Sequence, residues 1–351
     1  MKVHQSPGLQ FRATGRGAAL HCPGNGRAFA GRALADGRLV EFLLGTTSWE
    51  SFDDAAGRLA DITGVSAVAA EAEIRRLVEQ GILVTDEDPE HRAVFSDAAS
   101  QWSDHGWGEA FAYHQLSDSL PRIDYGTPEG LRLDISRMQD YVAREPQPPL
   151  YMPPVSAEKI QLPQPLRALS VRSSAALAAN TSPDRPSEPI GALDLSTILW
   201  YGFGQVGTKR LPVTGEHIRK ASPSGGSRHP TEVYVLITAA EQLPAGAYHY
   251  GVRDHDLELI TTDVDSDWVA RNVTGKPEWM TIEPTVSLVL TSRAELSMYR
   301  YRECFSYRPL HHDVGHVLET TALVARSLGR KFFRGYSMDE QQVHRKIGND
   351  R

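Results

Sequence analysis

The sequence predicts an α+β protein in which a sheet is packed between helices. Three observations carry that expectation. Four apolar runs of strand length, "TEVYVLI", "GAYHYGV", "LELIT" and "TVSLVLTS", fall close together between residues 231 and 292. Helical stretches flank them, "LDLSTILWYGFGQV" before and "HHDVGHVLETTALVARSLG" after. Between two of the runs, "RDHD" separates alternating segments as a hairpin turn does. Strands in a meander with helices on either side give an α+β sheet covered by helices.

Taken in chain order, residues 1–90 read as a small winged-helix-like module. "ADGRLVEFLLGTTSWESFDDAAGRLADITG" suggests two short helices, and "AEAEIRRLVEQGILVTDED" a third, with Ile74, Leu77 and Val78 on one face. Gly81 stops that helix before a short strand. Such modules contact DNA or peptides, and this one has no basic recognition face, so the expectation is a peptide contact or plain packing. Residues 91–145 form a helical bridge with four large aromatics, Trp102, Trp107, Phe111 and Tyr113. They suit a packed face or a substrate groove. Residues 146–165 hold seven prolines, a density that forbids regular helix or inner strand and marks an extended linker. Residues 166–351 form the sheet domain, whose last helix is ended by Gly329.

Composition excludes several classes. At 351 residues, with 40% apolar and 23% charged residues, the chain is ordinary for a globular protein. A net charge of −7 gives no reason to expect nucleic acid or an anionic membrane as partner. No apolar run approaches the ~20 residues of a membrane span, and the amino terminus lacks the apolar core of a signal peptide. The two cysteines, Cys22 and Cys304, have no paired spacing and read as reduced thiols. A cytoplasmic location is expected.

The stretch "KASPSGGSRHPTEVYVLI" runs from a bare polar segment straight into a strand. Gly225 and Gly226 expose backbone N–H groups, since glycine has no Cβ to block close approach. Successive bare amides make a concavity for a phosphate or the polar edge of a heterocycle. Ser224 adds a hydroxyl, and Arg228 and His229 add charge and a titratable ring. A tight turn capping the strand is the plainer reading of the same residues.

"SPSGGSRHPTEVYV" resembles the flavin-contacting motif of the nitroreductase-fold azoline dehydrogenases. These are FMN enzymes of the streptolysin-S and microcin type, which oxidise thiazolines and oxazolines in ribosomally made peptides. "LSVRSSAAL", "LSTILWYGFGQV", "GAYHYGVRDHDLELI" and "YRPLHHDVGHVLETTALVARSLG" fall in that family's order, and "WGEAFAYHQLSD" and the proline linker match its amino-terminal half. The resemblance covers about residues 30–345. It implies a nitroreductase-like fold and bound FMN, with Pro223, Ser224, Gly225 and Gly226 along the isoalloxazine. It also implies Ser170 and Arg172 on the phosphate, with Arg219 and Arg330 as further cations. Ala168 and Leu169 stand where the family has arginines. The family's Lys-Tyr pair is matched by Arg300 and Tyr301. An arginine cannot be a base, so Tyr301 is the expected base with Arg300 as its charged neighbour, and Tyr299 is the spare; alternatively Tyr301 packs the flavin or peptide.

The reaction the resemblance implies is azoline to azole on a precursor peptide, with thiopeptide biosynthesis as one setting for it. The implied assembly is a homodimer or a complex with another biosynthetic subunit, since "MDEQQVHRKIGNDR" ends before the clasping segment of many relatives. Competing readings are a nicotinamide-dependent nitro or quinone reductase and a non-catalytic scaffold. "HHDVGH" also places His312 and His316 four apart, as in zinc hydrolases, but Gly315 and the lack of a third ligand weigh against a metal.

Overall fold

The computed structural model describes residues 1–6, 9–14, 17–22, 27–30, 37–88, 100–119, 123–169, 175–176, 190–275, 284–302 and 306–348. It divides into two compact units, Met1–Ile123 and Asp124–Arg302 with Ser306–Arg351.

In the first unit, strand β1 (Lys2–Gln5) lies between β5 (Glu50–Ser51) and β6 (Leu83–Thr85), antiparallel to both. Helices α1 (Arg38–Gly45), α2 (Phe52–Thr63) and α3 (Ala67–Glu79) cover it. Ser51 and Ser66 cap α2 and α3 by accepting from Asp54 and Ala69 N–H. The helical spacing of Phe42, Leu59, Ile74 and Leu77 puts them in one core with Val3 and Leu83. A separate antiparallel sheet, β2 (Gln10–Thr14), β3 (Gly17–Cys22) and β4 (Arg27–Ala30), was not anticipated from the sequence. Further on, α4 (Ser100–Asp104) and α5 (Gly108–Ser119) carry the aromatic cluster. Phe111 is buried while Trp107 is 57% exposed, and Trp102 stacks on His114 at 5.8 Å.

The second unit is built on a five-stranded antiparallel sheet, in the order β13 (Val286–Ser292), β10 (Thr231–Ile237), β11 (Gly246–Gly251), β12 (Asp256–Thr261), β7 (Lys159–Gln161). β10 is buried along its whole length, so both of its faces must be covered. Val233, Val235 and Ile237 pack with Leu195 and Leu199 of α7 (Ala192–Gly202), with Phe203 that caps it, and with Val317 of α9 (Tyr307–Ser327). Tyr234 and Leu236, on the opposite face by the strand's period of two, pack with Val343 and Ile347 of α10 (Glu340–Ile347). The sheet is therefore sandwiched by helices, as expected. The "RDHD" hairpin forms, with Gly251 opposite Asp256. The proline-rich segment supplies only the three-residue edge strand β7. Two further elements complete the unit. A hairpin, β8 (Gln205–Leu211) and β9 (Gly215–Lys220), leads into the glycine pair. Helix α6 (Pro128–Arg144), through Asp134, and the end of α8 (Ala294–Arg300), through Arg300, meet in the same region. Among the described residues no helix is long and apolar enough to cross a membrane.

Candidate functional site

The site is the loop between β9 and β10. Ser222 fixes its start by donating from Oγ to the Gly202 carbonyl at 2.8 Å. Three of its residues are left-handed: Gly226 (φ 60°), Ser227 (φ 55°) and His229 (φ 49°). For residues with a Cβ this costs about 1–3 kcal/mol each, so surrounding bonds must hold the loop. They come from Asp313, a buried carboxylate in the second turn of α9. Ser224 Oγ donates to Asp313 Oδ2 at 2.6 Å, and the Gly225 N–H donates to Oδ1 at 2.9 Å. The His229 N–H then donates to Ser224 Oγ at 2.8 Å, which closes the loop on itself. Both oxygens of Asp313 are thus used by the loop, while His312 and His316 are exposed. Among the described residues no group of three His, Cys, Asp or Glu side chains is placed to hold a metal.

This network corrects the expected row of bare amides. Besides the Gly225 and His229 N–H groups, those of Ser227 and Arg228 are spent on the carbonyls of Ser224 and Gly225. From Ser224 to His229, only the N–H groups of Ser224 and Gly226 remain without a hydrogen-bond partner among the described residues. The Ser224 hydroxyl is likewise occupied inside the loop, so it offers a ligand its backbone rather than its side chain.

Tyr301 meets this loop directly. A Cβ built on Gly226 would stand 2.7 Å from Tyr301 Oη, so the phenol lies over the bare glycine. Its position follows from α8, which it terminates by donating its N–H to the Ser297 carbonyl. Arg300 beside it is held by Asp134 of α6, Nη2 lying 2.8 and 2.9 Å from the carboxylate oxygens. The expected lone cation next to Tyr301 is therefore one half of an ion pair, a partner that the sequence reading did not find. Tyr299 is buried and donates to the Glu145 carbonyl at 3.2 Å, and burial, with the Glu145 charge, pushes its phenol pKa up. Both facts weigh against it as the spare base.

A basic collar surrounds the loop. Lys209 Nζ donates to Ser227 Oγ at 2.9 Å. Arg228 is half-buried, its Nε has no hydrogen-bond partner among the described residues, and burial with the nearby Arg300 charge pushes its guanidinium down. Unmet buried donors of this kind ask for an acceptor, and the two free amides ask for the same. Together they suit an anionic, acceptor-rich ligand with a flat edge.

The other expected ligand residues do not converge here. Arg219 is exposed, and its neighbour Lys220 points to the opposite side of β9. Arg330 donates from Nε to Asp194 Oδ2 at 2.8 Å, tying the end of α9 to the first turn of α7. The last residue of α9, Ser327, already lies about 21 Å along the helix from Asp313 at 1.5 Å per residue, and Arg330 follows it. Ser170 and Arg172 lie outside the described residues. Pro223 is exposed at the loop's entrance.

No family model matches the sequence. It is 34% identical over 245 residues to the trifolitoxin-processing protein TfxB of Rhizobium leguminosarum bv. trifolii, across 67% of this chain and 65% of that protein. The chain thus spans just under two thirds of that relative's length. It is 29% identical over 143 residues to "Putative nitroreductase MJ1384" of Methanocaldococcus jannaschii, across 41% of this chain and 67% of that protein. Among solved structures, the chain aligns with the E. coli microcin synthetase McbBCD complex bound to truncated pro-MccB17. That alignment has 22% identity and a TM-score of 0.36, covering 62% of this chain and 87% of the other.

Proposed function

We propose that this nitroreductase-like chain is an FMN-dependent azoline dehydrogenase that converts thiazoline or oxazoline rings of a precursor peptide to azoles. The observation that carries the reading is the Tyr301 hydroxyl lying over the bare Gly226 of a loop locked by Asp313. Aromatising an azoline removes a hydride and a proton. FMN, when bound, supplies the hydride acceptor that no side chain can be.

The chain's own residues supply the rest. The free N–H groups of Ser224 and Gly226 and the unpaired Arg228 Nε are the donors suited to hold the cofactor's acceptor edge. Tyr301 Oη is the group assigned to take the ring proton. Arg300, paired with Asp134, fixes the end of α8 and so the position of that phenol. A peptide substrate is supported by the match to TfxB, a protein named for processing trifolitoxin. The partner assigned here is a second copy or another subunit of a peptide-modifying assembly.

The test is the visible absorption spectrum of the purified protein, with the released cofactor identified by mass, followed by assay on azoline peptides. Stoichiometric FMN and azole formation are expected. Tyr301→Phe should keep its FMN and lose azoline oxidation by about 10²–10⁴-fold, the range for a general base. A protein that stays colourless after addition of FMN would sink the reading and favour a scaffold. A Tyr301→Phe variant of normal rate would take the base role from Tyr301.

A further inference from the structure

The aromatic cluster of α4 and α5 is held by the backbone that joins the two helices. Gly106 (φ 72°) turns the chain, and the Trp107 N–H donates to the Trp102 carbonyl at 2.8 Å. The two indoles stand edge to face at 6.1 Å. Trp102 lies 5.9 Å from the buried Phe111 and parallel to the His114 ring, and His105 lies 5.2 Å from Trp107. Phe111 anchors the group in the interior, while Trp107, His105 and His114 are exposed. A tryptophan normally earns its place by the large area it buries, and Trp107 leaves more than half of its surface in water.

Two observations point to what this face takes. Elsewhere the chain covers aromatic rings with its own cations. Arg167 stands 4.3 Å from the Trp200 ring centroid, Arg253 4.3 Å from Tyr151 and Lys346 4.9 Å from Trp268. Trp102 and Trp107 touch only other rings of the cluster, and no cation of the described residues lies over them. The local charge gives the reason. Between Arg92 and Arg122 the sequence has no lysine or arginine, but four acids, Asp97, Asp104, Glu109 and Asp118. Asp104 and Glu109 are exposed and make no ion pair with any described residue. The negative face of an indole and a nearby carboxylate both attract a cation.

We propose that the α4–α5 face docks a basic segment of a partner polypeptide, an arginine or lysine side chain lying on the exposed tryptophan within the field of Asp104 and Glu109. A neutral proline-rich segment also suits aromatic surfaces, but it leaves those acids unanswered. Nucleic acid is repelled by them. The inference does not rest on the redox reading, because no residue of the first unit has been placed in that chemistry.

The experiment follows fluorescence anisotropy of a labelled glycine-serine peptide carrying arginines as the full-length protein is added. Its controls are the same peptide with citrulline in place of arginine, which keeps the shape and loses the charge, and a proline-rich peptide of equal length. The arginine peptide is expected to saturate and to weaken as salt rises. Citrulline should cost roughly 2- to 30-fold in affinity, the range of a cation–π contact. Trp107→Leu, which keeps an apolar side chain but removes the ring, should cost the arginine peptide a similar factor. The double variant Asp104→Asn, Glu109→Gln should weaken the arginine peptide and leave the citrulline peptide unchanged. Should Trp107→Leu not fold, the comparison of arginine with citrulline on the unaltered protein decides alone. No saturation by the arginine peptide, equal binding of citrulline, tighter binding of the proline-rich peptide, or unchanged arginine affinity in either variant overturns the proposal.

Discussion

Gly226 combines two demands that one residue rarely meets, a left-handed backbone and a phenol against its α-carbon. Alanine there would set a methyl group 2.7 Å from Tyr301 Oη at φ 60°. The backbone term alone is worth about 1–2 kcal/mol. Gly226→Ala is therefore expected to lower the melting temperature and to weaken FMN retention. Adding Tyr301→Phe should recover the steric part but not the backbone part, so the two changes should be non-additive in a double-mutant cycle. A Gly226→Ala protein as stable as the parent would show that the phenol does not occupy this place. At this scale the sequence was half legible. The glycine pair announced a close approach, but nothing local announces that the Gly225 N–H answers to Asp313, 88 residues away. Arg219 was expected as a further cation, yet it is exposed, because strand register rather than residue type decides which side chains of β9 turn inward.

The loop and helix α9 behave as one element. Asp313 ties the helix's second turn to the loop, and Arg330 with Asp194 ties its far end to α7. The loop also contains a titration. His229 has a folded-state pKa of about 3 against an ordinary 6.5, chiefly because burial disfavours the imidazolium. Above pH 6.5 the ring is neutral in both folded and unfolded chains, and its contribution to stability is fully present. Between 6.5 and about 3 the unfolded chain takes a proton that the folded loop refuses, so stability falls with pH. The difference in melting temperature between the parent and His229→Gln should therefore shrink as pH falls from about 7.5 to 4. A difference that stays constant over that range would mean the ring is not buried neutral. Helices and strands with a strong apolar period, α7, α9 and β10 to β13, were legible. The hairpin of β8 and β9 was not, because its alternation is carried by polar residues and its burial is shallow. α10 was missed since only Val343 and Ile347 of its eight residues enter the core.

For the whole molecule, the sequence placed the boundary in the proline-rich stretch, whereas the compact units divide at Ile123 and Asp124. Helix α6 goes with the sheet because Asp134 holds Arg300 and the residues that follow it continue the contact. There Glu145 accepts from Tyr299, and Gln147 donates to the Thr214 carbonyl at 3.0 Å. Long-range pairings of this sort leave no periodic trace in a sequence. If the amino-terminal unit is the peptide-contacting module, deleting residues 1–90 should weaken precursor-peptide binding and leave FMN content intact. Unchanged peptide affinity, measured by fluorescence anisotropy, would remove that role.

The two edges of the five-stranded sheet also differ. β7 is three residues long, carries Lys159, and is bracketed by Pro153, Pro154 and Pro163, features that discourage another strand from pairing. β13 is seven residues long, and its outer side has no strand beside it among the described residues. For an extended chain that joins this sheet through its backbone, whether from a peptide or from a second subunit, β13 is therefore, among the described residues, the edge that offers a full-length strand. Such augmentation would add a strand next to β13 and leave the β7 edge undisturbed.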